Sequence, residues 1–130
     1  LSNPGTFQRF GKVLDGLIDD LLRYAQKEFE LDKHPKESKA TLRAHLLSLY
    51  EQTGEMPVEL ENEPPNEAVA YLLGYFQQLS TARQCGMSLN PLTFTEIEAW
   101  VRLYKMKLDS WEIDVIKQLD LIYLNTQMEH

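Results

Sequence analysis

Catalysis in a small protein usually rests on histidine, cysteine or paired carboxylates, and this 130-residue chain offers few candidates: His34, His45, His130 and the lone Cys85. His34 adjoins a turn at Pro35, His45 falls on an expected helix, and His130 is the last residue. That scatter has none of the Cys/His or carboxylate spacing of a metal site. Cys85 has no histidine near it in sequence and sits beside Gly86, where an inert small residue is a simpler reading than an activated thiolate. Asp15 and Asp19 lie one helical turn apart, and Glu112 and Asp114 lie close together. Such pairs can relay protons in acid–base catalysis, yet they are equally common on solvated helix faces. No phosphate-cradling glycine loop is present. The expectation is a protein that is not an enzyme, with no catalytic residue, no metal and no cofactor.

The charge balance excludes a second class. The formal net charge is −7, and six glutamates (51, 55, 59, 61, 63 and 67) stand between Glu51 and Glu67 without one lysine or arginine. Nucleic-acid binders need clustered cations to displace phosphate counterions, so no nucleic-acid partner is expected. A basic or apolar protein partner suits this surface, as does plain solubility. No apolar run approaches the roughly 20 residues of a membrane span, and no membrane partner is expected. The opening LSNPGTFQRF lacks the basic-then-apolar plan of a secretory leader, and a single cysteine fits a reducing compartment such as cytoplasm. With 43% hydrophobic and 25% charged residues, the chain reads as one globular domain over 1–130.

Hydrophobic spacing then places the elements. Phe10, Leu14, Leu17, Ile18, Leu21, Ala25 and Phe29 share one face of a first helix, expected over 6–30 with Thr6 as its cap. Gly11 and Gly16 weaken that helix or admit another helix closely; both readings stand. A second helix is expected over 38–53, with Leu42, His45 or Leu46, Leu49 and Tyr50 as its stripe and Gly54 ending it left-handed. Residues 55–66 form an acidic, proline-rich linker, since Pro57, Pro64 and Pro65 deny it helical bonds. Met56, Val58 and Leu60 tack it to the body or leave it mobile. A third helix is expected over 66–82, capped by Asn66, with Val69, Leu72, Leu73, Phe76 and Leu79 on its apolar face.

The stretch PLTFTEIEAWVRLYKMKLDSWEIDVIKQLDLIYL, residues 91–124, holds two helix starts. Thr93 and Glu96 have capping-box spacing, Leu92 and Ile97 stand where a hydrophobic staple closes over the cap, and Asp109 with Glu112 repeats the box. Ile97, Trp100, Val101, Tyr104 and Leu108 line a fourth helix. Trp111, Val115, Ile116, Leu119, Ile122 and Tyr123 line a fifth. So short a connection predicts a helix–turn–helix corner. Ile97, Trp100, Tyr104, Leu108, Trp111, Ile116, Leu119 and Tyr123 are expected to pack it, although exposed aromatics also anchor interfaces. A DNA-reading role is disfavoured, because the second helix carries Glu112, Asp114 and Asp120 against Lys117 alone. No run alternates with period two, so the fold class is all-α, with about five helices.

This stretch resembles a recurrent segment of the tail assembly chaperones of long-tailed, lambda-like bacteriophages. The resemblance is carried by Leu92, Thr93, Glu96, Ile97, Glu98, Ala99, Trp100, Leu103 and Leu108. It continues through Trp111, Glu112, Ile116, Leu119, Asp120, Tyr123 and Leu124. The stretches at 46–57 and 68–76 are also similar in order and spacing. The resemblance implies a factor that binds the tape-measure protein, keeps it soluble, helps recruit tail-tube subunits, works in the host cytoplasm and is absent from the mature virion. It brings no catalytic residues. A 15-kDa domain cannot cover a long rod alone, so self-association is expected with it. Glu55, Glu59, Glu61 and Glu63 and the rim of the helix corner are the candidate partner interface. The competing reading is a helical protein-interaction adaptor or a structural head–tail component.

Overall fold

The computed structural model describes residues 4–83 and 89–128, apart from the side chains of residues 4–10. Among the described residues there are five α-helices, one 3-10 turn and no strand: an all-α fold. The helices are α1 (Pro4–Leu31), α2 (Leu42–Thr53), α3 (Glu67–Ser80), α4 (Phe94–Leu103) and α5 (Ser110–Met128), with the 3-10 turn at Val58–Leu60.

The core is built by α1, α3 and α5, which pack pairwise on one another. The 3.6-residue period turns Leu21, Ala25 and Phe29 of α1 inward against Val69, Leu72, Phe76 and Leu79 of α3 and Val115, Ile116 and Leu119 of α5. Leu92, Ile97 and Trp100 close one side of the cluster. Within it Phe29, Phe76 and the half-buried Tyr123 form a trio with centroids 5.3–5.8 Å apart. Their tilted and edge-on angles bring positive ring edges toward negative faces.

Helix α1 begins at Pro4, two residues before the expected start, and proline is tolerated there because the first helical amides have no intrahelical acceptor. The side chains of Thr6 and Phe10 lie outside the described residues. Leu14, Leu17 and Ile18 are half-buried against the core. A methyl group added at Gly11 or Gly16 would meet nothing within 4 Å, so neither glycine admits a close neighbour.

Helix α2 starts at Leu42 rather than Ser38. The Ser38 hydroxyl accepts from the Ala40 amide and donates to its carbonyl, which holds a local turn in place of a helical one. Thr41 caps the helix by accepting from Ala44 N–H at 3.1 Å, and Gly54 ends it at φ +76°. Beyond it Met56 and Val58 are exposed, so they do not tack the connection to the body. Polar contacts do that instead: Asn62 donates to the Tyr24 carbonyl at 3.1 Å, and the Lys27 ammonium donates to that of Glu61.

Candidate functional site

Among the described residues, the types that could do chemistry stand apart from one another. His34 is exposed, and His45 lies 2.8 Å from the Ser38 hydroxyl on the surface. Asp15, Asp19 and Asp114 are exposed. Cys85 and His130 lie outside the described residues. Among the described residues no three of His, Cys, Asp and Glu come together as a metal ion would require.

The capping residues are each engaged, but the two boxes are built differently. Thr93 Oγ1 accepts the Glu96 amide at 3.1 Å, and the Glu96 carboxylate takes the Thr93 hydroxyl at 3.2 Å rather than reaching the cap amide. At α5 the return bond forms, Asp109 N–H to Glu112 Oε1 at 2.8 Å, while the Asp109 carbonyl accepts from Glu112 and Ile113. Glu112 is buried, and its second oxygen accepts the Tyr71 hydroxyl at 2.7 Å. Burial and that bond to a carboxylate both raise the Tyr71 pKa, so the phenol stays protonated.

The residues expected to pack the corner divide. Ile97, Ile116 and Leu119 are fully buried and Trp100 is 8% exposed, with its ring edge-on to Tyr75 at 5.3 Å. Its indole N–H is buried and finds no acceptor among the described residues. Leu108, Trp111 and Tyr123 are half-buried against the core. Tyr104 lies at the edge of this group: α4 stops at Leu103, and Tyr104 is 61% exposed as its C-cap, with its ring tilted 6.2 Å from that of Trp100. Lys105 follows at φ +54°, a left-handed residue that turns the chain away. Helix α5 packs chiefly on α1 and α3 rather than on α4.

Two features escaped the sequence reading. One is a buried ion pair, Arg83 Nη2 to Asp120 Oδ1 at 2.6 Å, with side chains only 4% and 2% exposed. Arg83 also donates to the Asn90 carbonyl and stacks 5.0 Å from the Tyr123 ring centre, while Asp120 Oδ2 accepts the Leu92 amide at 2.8 Å. The Lys117 ammonium donates to the Leu92 carbonyl. The pair thus pins residues 90–92 between α3 and α5. An acidic residue on the apolar stripe of Ile116, Leu119 and Tyr123 was the available signal.

The other is the state of α2, which buries no residue. Its root is fixed to α1: Arg43 donates to Glu28 at 2.7 Å and to Asp32 at 3.0 Å. Burial works against the Glu28 charge, but the hydrogen bonds from Arg43 and Tyr24 outweigh it and hold the carboxyl below its usual value. Outward from this root Leu47, Leu49 and Tyr50 are exposed, as are Met56 and Val58 beyond Gly54. Glu55, Glu59, Glu61 and Glu63 are exposed along the same connection.

No helix among the described residues is long and apolar enough to cross a membrane. No curated protein and no solved structure matches the chain. A sequence model of a family described as phage tail assembly chaperone matches residues 49–125, more than half of the chain. The matched span runs from the exposed end of α2 through the acidic connection, α3 and α4 into α5, taking in both helix starts and both residues of the buried pair. The chain belongs to the phage tail assembly chaperone family.

Proposed function

We propose that this chaperone binds the tape-measure protein of its phage, keeps it soluble until tail-tube subunits are recruited, and acts in the host cytoplasm without entering the virion. The observation that carries this reading is the exposed apolar surface of α2 and the turn after it, which α1, α3 and α5 leave uncovered. A tape-measure protein is a long helical rod, and helices dock by laying an apolar stripe on such a surface. Many copies along one rod turn weak contacts into avidity, and self-association among those copies goes with it. Glu55, Glu59, Glu61 and Glu63 form the rim of the contact. No chemical step is involved; the work is shielding apolar surface from water.

Co-expression with the neighbouring tape-measure protein tests the reading. Co-purification with a raised soluble yield of the target is the expected result. An insoluble, unbound target, or a stable place for this chain in purified virions, overturns it in favour of an adaptor or structural component.

A further inference from the structure

The surface of α2 also carries information about the chemistry of what it receives. At 100° per residue, Leu46, Leu47, Leu49 and Tyr50 fall within about 160° of the helix circumference, one broad face. The 3-10 turn that bears Val58 packs against this helix. The charge along this stretch of chain is one-sided, although Glu61 and Glu63 stand beside Arg23 and Lys27 of α1. Six of the chain's 20 acids and none of its 13 lysines and arginines lie between Ala44 and Ala82, so this segment carries nearly all of the net charge of −7. All six glutamates are exposed. The cation at the root of α2, Arg43, is engaged by Glu28 and Asp32.

We infer that this face receives an amphipathic helix whose apolar stripe is flanked by lysine and arginine. The apolar residues supply affinity through burial, and the acidic rim steers a basic helix in while repelling an acidic one. The same rim opposes a second copy of this chain, since an isologous contact sets each patch against itself and would bring the glutamates of two copies together. Self-association therefore uses another surface. The inference rests on the chaperone reading for the identity of the partner, while its chemistry can be tested apart from it.

The test uses the intact chain and two 18-residue helical peptides with the same leucine pattern, one with lysine and one with glutamate at the flanking positions. Binding is followed by fluorescence anisotropy at low and moderate salt. The lysine peptide is expected to bind at least ten-fold more tightly than the glutamate peptide, and more weakly as salt rises. Replacing Glu55, Glu59, Glu61 and Glu63 by glutamine lowers that affinity several-fold. A Leu49→Ser, Tyr50→Ser double variant loses it with an unchanged melting temperature, because neither side chain is buried. Equal binding of the two peptides, or full binding by the serine variant, overturns the inference. So does a concentration-dependent dimer that the serine variant abolishes. Failure of the peptides while wild-type chain still co-purifies with the tape-measure protein removes this surface and leaves the chaperone reading standing. Peptide binding without co-purification does the reverse.

Discussion

Asp120 and Arg83 meet at 2.6 Å with both side chains almost wholly withdrawn from water, and together they fasten the segment before α4 to α3 and α5. Asp120 supplies buried negative charge to Arg83 and an acceptor to the Leu92 amide, and a neutral side chain there loses the first of these. Asp120→Asn is expected to cost about 3–5 kcal/mol in urea unfolding. The double variant Arg83→Met, Asp120→Leu should recover only part of that loss. The Leu92 amide, now bonded to Asp120, would be left without its acceptor at about 1–3 kcal/mol. Full recovery in the double variant would mean that this amide finds another partner.

Trp100 is an apolar wedge whose polar atom contributes no bond among the described residues. Trp100→Ala should cost about 3–5 kcal/mol, the usual penalty for a buried large aromatic. Trp100→Phe should cost less than half as much, because it keeps the ring against Tyr75 and removes an unpartnered N–H. Chemical denaturation of both variants compares the two losses directly. Equal losses would show that the indole N–H has a partner in solution.

The two helix starts should respond unequally. Thr93→Ala removes one exposed cap bond, at about 1 kcal/mol. Glu112→Ala removes a buried carboxylate that holds both the Asp109 amide and the Tyr71 hydroxyl, and should lower the melting temperature further. Tyr71→Phe in the Glu112→Ala background should then add little, since the two residues share one hydrogen bond.

Helix α2 should loosen in acid before the core does. The Glu28 carboxyl is held below its ordinary value of 4.5, so the unfolded chain takes up the proton first as pH falls. The contribution of its bonds to Arg43 and Tyr24 is full above about pH 4.5 and is lost as pH drops through the lower folded value. Backbone NMR shifts of α2 should move toward coil in that window while those of α3 hold. Glu28→Gln should abolish the pH dependence, and a pH response unaltered in that variant would locate it elsewhere.

Local signals were the legible part of the sequence. Asn66, Thr93 and Gly54 end or begin helices through bonds to residues only a few positions away, and the structure places each cap where the spacing put it. The inward faces of α1 and α3 follow from their period for the same reason. What periodicity cannot carry is the point at which a helix stops. The stripe that includes Trp100 extends in sequence to Tyr104, but the chain turns at Lys105 and leaves that ring outside. Nor does it say which faces find a partner: α2 carries Leu46, Leu49 and Tyr50 at helical spacing and buries none of them. The Arg83–Asp120 pair joins residues far apart in the chain, and only the tertiary fold brings them together.

Since no residue of α2 helps to fill the interior, its outward positions are released from the constraint that governs the rest of the chain. A change at Leu47, Leu49 or Tyr50 opens no cavity and strands no buried charge. Selection on this helix can thus act on recognition alone. Substitutions there would be felt in binding, while the packing of α1, α3 and α5 stays as it is.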